Sequence, residues 1–472
     1  MNYVGTARPI HDAKGKATGY SKYAGDISLP NMAYLCMLHS KIPHGYVKAV
    51  HAEKALALPG VYGVYHCLNT TDRKYNRYRS SFDQAYLANE ERAFNQYVRF
   101  VGDKIGVVAA CDQETAERAA RLVEVEYEEL PFSIGFDDTL AGKNCLDGET
   151  PVRDEYELEV GEKQGSAEGL IEVCSTMELP RLHHATMETH ACIADYDPYS
   201  DMLTVYCPNQ AVHGIRNVLA DFLEMPESHV RVVTATMGGS FGAKQEWFLE
   251  PVTALVAKKL CRPVKLVYSR GEAMTDTIVR GAMRMSARGY YMPDGEMKEI
   301  YCDVTLDAGA YIGNAGDYVR ALAGKPTRCY RIPYMHYHGQ VISSNSPVSG
   351  AFRSWSAAEE ALMMERQLDA AAEKLGMDRL AIRLKNVARS GEEDKKLHLS
   401  LEDIRIGDAI TLGSEKFGWD KLKAEDAAFN ASQQRYRRGV GIGIGGHGNT
   451  YFPRFNDYGE GSIGLNADGS MQ

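Results

Sequence analysis

Three consecutive segments in the first third of the chain have hydrophobic patterns that predict a strand, a helix and a second strand. Residues 104–111 (KIGVVAAC) form a short apolar run, which is typical of a buried strand. Asp112 follows, and its carboxylate can accept hydrogen bonds from the first free amides of a helix that extends to residue 121. In residues 122–130, valine and tyrosine alternate with glutamate, which predicts a strand with one buried and one wet face. Pro131 ends this unit.

The pattern becomes rich in strands from residue 166 onward. Residues 201–207 and 230–236 read as strands, and they flank a helical pattern near residues 215–223. Residues 299–311 alternate between apolar and polar positions and end in a glycine turn.

The clearest helical pattern begins after Ser356. Ser356 and Glu359 match a capping box, and apolar residues then repeat at helical spacing to Leu375. Gly376 stops the run, and a second short helix is predicted over residues 378–387. The apolar positions, Met364 among them, are expected in the core.

Composition and charge exclude several classes of protein. The 472 residues include 44% hydrophobic and 25% charged residues, which are values of folded globular proteins. Lys and Arg number 53 against 63 Asp and Glu, a net charge of −10, and the basic residues form no patch for a nucleic acid. No uncharged apolar stretch approaches the length of a membrane span, and residues 1–19 hold no apolar signal core. A cytoplasmic location is therefore expected.

The ten cysteines are widely dispersed, and no two of them form a CxxC pair. Zinc sites and iron–sulfur clusters need clustered thiolates. We therefore expect neither kind of site to be encoded locally in this chain.

The most unusual local sequence is MGGSFGAKQE, residues 237–246, which follows a predicted strand. We call it the glycine loop. Adjacent glycines permit positive φ angles and close backbone approach, so several N–H groups can point at an anionic or oxo ligand. The spacing fits neither a P-loop nor a GxGxxG fingerprint. The alternative is a tightly packed turn with no ligand.

Two further segments carry candidate chemistry. Residues 350–356 (GAFRSWS), the arginine loop, place an arginine and a tryptophan just before a helix N-terminus, where anions are favoured. The alternative is a surface ion-pair arginine beside a core tryptophan. Residues 182–191 (LHHATMETHA), the histidine segment, contain residue types that ligate metals, but their spacing is not that of HExxH. A polar strand near a site is the favoured interpretation of this segment, whose candidate ligands are His183, His184, Glu188 and His190.

These segments occur together in a known family. The chain resembles the molybdenum-binding subunits of the xanthine dehydrogenase and aldehyde oxidase family, the molybdenum hydroxylases. Its GGSFGAK is similar to the family's GGGFGGK, and its GAFRSWS is similar to AFRGFG. Further similarities are METHA, DAGAY, LGMDRLAIRLKNV and the opening VGTARPIHDAKGKATGYSKYAGDISLP.

The resemblance implies an α+β fold of the family's type. We expect an α/β-hammerhead domain over residues 1–134 and a linker over 135–165. The first molybdenum-cofactor-binding domain should follow over 166–435, and residues 436–472 should begin a second such domain.

The resemblance also implies a pyranopterin cofactor, molybdopterin or its cytosine dinucleotide, which holds molybdenum through a dithiolene. No side chain of this chain is then needed as a metal ligand. The cofactor-binding residues carried over from the family's motifs are Gln210, Gly239, Phe241, Gly242 and Arg353.

Substrate positions carry over in the same way. Trp355 stands where the family has a ring-stacking phenylalanine, and Arg320 stands where it has a substrate arginine. Gln245 replaces the glutamate of purine-active relatives, and a neutral amide cannot pair with a cation. The resemblance thus implies hydroxylation of a purine-like or other N-heteroaromatic compound, with water as the oxygen source. An aldehyde-oxidising enzyme and a non-catalytic, partner-binding remnant are the alternatives.

The family's catalytic machinery extends beyond the present residues. Its general-base glutamate lies far downstream of the segments matched here, so we expect no catalytic side chain in this chain. Residues 439–448 and 459–469 read as strands and turns with no partner strand. We therefore expect a second molybdenum-binding half or subunit, unless the sequence is a fragment. The resemblance further implies partner subunits that carry 2Fe-2S clusters and FAD.

Overall fold

The computed structural model describes residues 4–78, 89–146, 150–163, 168–432, 435–447 and 461–471. Parts of the predicted linker and of the predicted C-terminal strands lie outside these residues. No helix in the described ranges is both long and apolar enough to cross a membrane.

The secondary structure mixes strands and helices along the whole described chain. The strands are β1 (Ala33–His39), β2 (Gly45–His51), β3 (Val61–His66), β4 (Lys74–Tyr75), β5 (Glu91–Arg92), β6 (Tyr97–Val98), β7 (Lys104–Ala110), β8 (Glu124–Glu129), β9 (Val152–Gly161), β10 (Ile171–Leu179), β11 (Ala191–Asp197), β12 (Met202–Cys207), β13 (Val230–Thr234), β14 (Val264–Val267), β15 (Ala282–Tyr291), β16 (Met297–Gly309), β17 (Tyr334–Ser343), β18 (Glu393–Asp394) and β19 (Leu399–Ser400). The helices are α1 (Ala13–Ala17), α2 (Glu53–Leu56), α3 (Gln113–Ala120), α4 (Phe136–Leu140), α5 (Val212–Leu223), α6 (Glu250–Leu260), α7 (Arg270–Asp276), α8 (Ala315–Ala323), α9 (Pro326–Cys329), α10 (Ala357–Leu375), α11 (Arg379–Asn386), α12 (Ile406–Phe417) and α13 (Trp419–Ser432).

A seven-stranded sheet joins the predicted hammerhead region to the region that follows it. Its strand order is β13-β12-β11-β14-β1-β7-β3. The junction is the parallel pair of β1 and β14, in which Ala33 lies opposite Val264. Apolar side chains of the sheet and of helices α5 and α6 form one core, with Trp247 among its largest members. The glycine loop therefore leaves this sheet at β13 and returns to its core at α6.

A five-stranded sheet, in the order β10-β15-β16-β17-β9, forms a second core with helices α8 and α10. Its edge strand β9 falls within the predicted linker (135–165), so that prediction is wrong for residues 152–161. Tyr156, Leu158 and Val160 alternate there with glutamates and face the core side more than their neighbours do. This alternation is the signal that makes the segment a strand.

The predicted elements near residue 110 are confirmed. Strand β7 is buried at every position, and the Asp112 side chain accepts a hydrogen bond from the amide of Thr115 at the start of α3. In β8 the glutamates are exposed while Val125 and Tyr127 are half-buried. This strand pairs with β2 in a small three-stranded sheet.

Helix α10 has the predicted extent, but it does not begin with a capping box. Ser356 has a φ of 68° and makes no side-chain cap, and the Glu359 carboxylate instead pairs with Arg280 at 2.8 Å. The end of the helix is as predicted, with Gly376 in the left-handed conformation. Asp378 then caps α11 by accepting from the amides of Leu380 and Ala381.

The strands predicted over residues 439–448 are not found in the described part, residues 439–447. This segment has no strand hydrogen bonds, and Ile442 and Ile444 pack against the core of the five-stranded sheet instead. Further along, Leu465 and Met471 form an isolated bridge around the Asp468-Gly469 turn.

Candidate functional site

The glycine loop (residues 237–246) turns on residues with left-handed backbone. Gly239, Phe241 and Gly242 have φ angles of 98°, 55° and 102°. A Cβ on Gly242 would stand 2.4 Å from the carbonyl oxygen of Ala351, so only glycine permits this approach. Phe241, by contrast, tolerates the conformation at the loop tip, where its side chain is 51% exposed. The loop is thus fixed at Gly242 against the arginine loop, and it is exposed at Phe241.

Four consecutive amides of the loop, those of residues 239–242, have no hydrogen-bond acceptor among the described residues. The flanking amides are occupied. That of Gly238 donates to Glu188 Oε2 at 2.7 Å, and that of Lys244 donates to Ser240 Oγ at 3.1 Å. A row of free N–H groups with positive φ angles in its backbone forms a site for anionic or oxo ligands.

The arginine loop (residues 350–356) lies directly against the glycine loop. The amide of Arg353 donates to the carbonyl oxygen of Phe241 at 2.8 Å. The Arg353 side chain is exposed, and its guanidinium has no ion-pair partner in the part of the chain that the structure describes. The backbone of Arg353 therefore contacts the residue at the tip of the glycine loop, although the two loops are more than 100 residues apart in sequence.

Gln210 reaches the same place from the start of α5. Its amide donates to the carbonyl oxygen of Lys244 at 2.8 Å, and its Oε1 accepts from Ser240 Oγ at 2.6 Å. Ser240 thus orients the Gln210 carboxamide while the side chain stays exposed. The remaining NH2 of that carboxamide can donate to a ligand. All five predicted cofactor-binding residues are brought together by these contacts.

A buried ion pair fastens both ends of the glycine loop. Glu188 Oε2 accepts from Lys244 Nζ at 2.6 Å as well as from the amide of Gly238. Lys244 is 1% exposed, and burial lowers its pKa while Glu188 opposes that shift. The sequence analysis considered Glu188 as a metal ligand and gave Lys244 no role. The lysine that ends GGSFGAK, seven residues after Met237, was the available signal.

Two histidines of the histidine segment, His184 and His190, contact the backbone of the two loops, whereas His183 contacts Ala273 and Thr277. His184 Nε2 lies 2.8 Å from the carbonyl oxygen of Ala351, and His190 Nε2 lies 2.9 Å from that of Ala243. Burial lowers the pKa of each of these two histidines to about 4, so both are neutral near pH 7. Within the described ranges, no cluster of His, Cys, Asp and Glu could hold a metal ion.

Two of the three predicted substrate residues, Gln245 and Trp355, belong to the two loops. Gln245 is half-buried at the end of the glycine loop, where its amide donates to the carbonyl oxygen of Gly242 at 3.2 Å. Trp355 belongs to the arginine loop and packs edge-on against Tyr318, with ring centroids 6.1 Å apart. Both therefore adjoin the open amides through the backbone of their own loops.

Arg320 is engaged in a local ion pair with a residue outside the two loops. Its guanidinium binds the Asp154 carboxylate with two hydrogen bonds, one of them 2.9 Å from Nη2 to Oδ1. It also lies over the Tyr156 ring, with Cζ 5.5 Å from the centroid. Asp154 and Tyr156 belong to β9, so the contact joins α8 to the edge of the five-stranded sheet. A role for Arg320 toward substrate stays a prediction.

Glu246 ends the glycine loop as a fully buried carboxyl. A Cβ on Gly350 would stand 2.5 Å from its Oε1, so the side chain lies against the start of the arginine loop. Burial raises the pKa of Glu246 to about 8, while Arg77 opposes the shift. The Glu246 carboxyl is therefore largely protonated at neutral pH and adds no negative charge behind the open amides.

The arrangement defines a class of protein: an α+β protein that binds an anionic or oxo-bearing cofactor between two loops. Residues 150–387 match the family model of the molybdopterin cofactor-binding domain. Residues 18–131 match that of the aldehyde oxidase and xanthine dehydrogenase a/b hammerhead domain. The chain belongs to the xanthine dehydrogenase and aldehyde oxidase family of molybdenum enzymes. The predicted family, fold class and kind of cofactor are thereby confirmed.

Individual relatives show how the chain compares with whole proteins. It is 29% identical to a xanthine dehydrogenase molybdenum-binding subunit of Escherichia coli O157:H7, over 98% of this chain and 61% of that protein. It is 30% identical to the nicotinate dehydrogenase large molybdopterin subunit of Eubacterium barkeri, over 80% of this chain and 88% of that protein. The aldehyde oxidoreductase structure from Desulfovibrio desulfuricans has the same fold, with a TM-score of 0.86 at 22% identity, covering 99% of this chain and 52% of that one. The chain thus spans 61% of the Escherichia coli relative.

Proposed function

We propose that this chain is the molybdopterin-binding part of a molybdenum hydroxylase, an oxidoreductase. Its substrate would be a purine-like or other N-heteroaromatic compound, hydroxylated at an electron-poor carbon with oxygen from water. The observation that carries the proposal is the row of open amides at residues 239–242 beside the exposed Arg353 and Gln210.

The donors on this face fit a pyranopterin that holds molybdenum. Oxo and phosphate oxygens accept hydrogen bonds, and the open amides, the Arg353 guanidinium and the Gln210 NH2 group can all donate them. When bound, the molybdenum centre supplies a two-electron oxidation of the substrate carbon. In this proposal Gln210 and the open amides would hold the cofactor by donating hydrogen bonds to it. Arg353 neutralises charge at the cofactor, and the loop contacts keep these donors in place before the cofactor arrives.

The proposed substrate class rests on Trp355 of the arginine loop and Gln245 of the glycine loop. Trp355 can cover a planar ring with a broad apolar surface. Gln245 can donate to and accept from a heterocycle, but it cannot take a proton from it. The relative named nicotinate dehydrogenase is in accord with a heterocycle other than a purine.

The proposal extends to partner subunits, since the Escherichia coli relative is named a molybdenum-binding subunit. We propose a second molybdenum-binding half or subunit that supplies the general base, together with iron–sulfur and FAD subunits. A cytoplasmic location remains part of the prediction.

The test compares the purified chain with the chain co-expressed with the downstream open reading frames of its source genome. Molybdenum and released pterin are quantified in both, and turnover is followed on hypoxanthine, xanthine, nicotinate and a simple aldehyde. We expect bound molybdenum and heterocycle turnover only in the assembled protein. Stoichiometric molybdenum and turnover in the chain alone would contradict the need for a second half. Turnover of the aldehyde alone would replace the heterocycle with an aldehyde substrate.

A further inference from the structure

Three consecutive residues of the arginine loop have backbone conformations that L-amino acids rarely adopt. Ser354, Trp355 and Ser356 have φ angles of 80°, 27° and 68°. The similar motif AFRGFG has glycine at the positions of Ser354 and Ser356, where positive φ costs nothing. With serine in both places, each such residue costs about 1–3 kcal/mol and persists only if its surroundings hold it.

Two cations hold this run in place. Lys325, at the start of α9, donates from Nζ to the carbonyl oxygen of Trp355 and, at 2.7 Å, to Ser356 Oγ. Arg280 donates from Nη2 to the carbonyl oxygen of Arg353 at 2.9 Å. The backbone is thereby held just before Trp355, at the Arg353 carbonyl, and at the Trp355 carbonyl itself by side chains from outside the loop.

Lys325 is the less replaceable of the two. Lys325 hydrogen-bonds to both Trp355 and Ser356, whereas Arg280 hydrogen-bonds to Arg353 and is also paired with Glu359 at 2.8 Å. Lys325 is half-buried, and burial lowers its pKa to about 8, while Glu360 and Glu359 at the start of α10 oppose that shift. A hydrogen bond from a charged donor to a carbonyl oxygen is among the stronger ones in proteins.

We propose that Lys325 is a positioning residue that fixes the ring of Trp355 and so sets which planar substrates the site accepts. This inference rests on the proposed function only for the substrate; the placement of Trp355 by Lys325 is testable in the chain alone. In the related motif glycine permits the positive φ angles. Here the hydrogen bonds from the Lys325 ammonium group stabilise them instead.

The first experiment measures acrylamide quenching of tryptophan fluorescence in the full chain. The other two tryptophans, Trp247 and Trp419, are buried, so the quenchable signal is assigned to Trp355 by its loss in Trp355→Phe. Lys325→Met should increase quenching, and Lys325→Arg should restore much of the original value.

A matched control is Lys265→Met. Lys265 is also a half-buried lysine that donates from Nζ to two backbone carbonyl oxygens, those of Gly25 and Ile27, far from the arginine loop. The Lys265→Met substitution should leave acrylamide quenching unchanged even if it lowers the midpoint of urea unfolding. Equal quenching in Lys325→Met and in wild type would overturn the proposal, as would equal increases in both lysine variants. If Lys325→Met does not fold, adding Ser354→Gly, which relieves the strain, should recover a folded protein with raised quenching; unchanged quenching there counts against the proposal.

The second experiment uses the assembled enzyme. Lys325→Met should raise KM for a planar heterocycle by about tenfold, the loss expected for one charged hydrogen bond, with a smaller change in kcat. KM for an acyclic aldehyde, if turned over, should change little. If no substrate is turned over by wild type, the proposed function fails while the quenching result still decides the role of Lys325. A uniform loss of kcat with KM unchanged would contradict positioning.

Discussion

Gly242 is the point where the glycine loop touches the backbone of the arginine loop, and Gly242→Ala should separate the two. An alanine there would have a φ of 102°, a conformation that costs about 1–3 kcal/mol for a residue with a Cβ. The new Cβ would also lie 2.4 Å and 2.7 Å from the carbonyl oxygen and carbon of Ala351. Both contacts are with backbone, so no side-chain rotation relieves them. We therefore expect a further cost of about 1–3 kcal/mol from overpacking.

Gly376→Ala is the matched control for the backbone contribution. Gly376 also has a positive φ, 64°, but nothing lies within 4 Å of the Cβ it would gain. Urea unfolding of both variants should show Gly242→Ala as the less stable, and pterin content in the assembled protein should fall only for Gly242→Ala. Equal stability of the two variants together with full pterin content in Gly242→Ala would refute the inference that this close approach builds the site.

Further substitutions test the ion pair, the buried carboxyl and the exposed cation of the site. Glu188→Gln leaves the buried Lys244 without a counter-charge and should cost about 3 kcal/mol in urea unfolding, whereas Glu128→Gln, at an exposed pair, should cost less than about 1 kcal/mol. Glu246 has a folded pKa of about 8 against an ordinary value of 4.5, so its folded state retains a proton that the unfolded state loses. Stability should thus fall as pH rises from 4.5 to 8, by up to about 1.4 kcal/mol per pH unit, and Glu246→Gln should remove that fall; parallel curves for the two proteins would count against a buried Glu246. Arg353→Ala should lower molybdenum content or turnover by at least about tenfold, or about 1.4 kcal/mol. Wild-type values in this variant would mean that Arg353 is a surface arginine with no role in cofactor binding.

Local chemistry explains what the sequence could predict. Asp112 caps α3 and Gly376 ends α10 because each feature depends on residues within four positions of itself. The unusual glycines of residues 237–246 likewise indicated a backbone that presents N–H groups. The joining of β1 to β14, by contrast, depends on segments more than 200 residues apart, and nothing local indicates it.

The errors have equally particular causes. Ser356 and Glu359 have the spacing of a capping box, but the positive φ at Ser356 turns its hydroxyl toward Lys325. The Asp154 partner of Arg320 lies on β9, in the segment predicted as a linker, so nothing in the sequence indicates their ion pair. Glu188 lies in a segment interpreted as a polar strand near a site, and nothing in its local spacing indicates the ion pair with Lys244. Each of these contacts joins side chains that are distant in sequence.

We propose that the amides of residues 239–242 are the open donors that receive the molybdenum cofactor. Hydrogen–deuterium exchange, followed by mass spectrometry on peptides that cover the glycine loop, tests it most directly in the assembled protein with and without cofactor. The buried strand β7 serves as an internal reference, because its exchange should be slow and equal in both states. We expect fast exchange at residues 239–242 in the cofactor-free protein and marked protection once the cofactor is bound. Equal exchange in the two states at these four amides would contradict it.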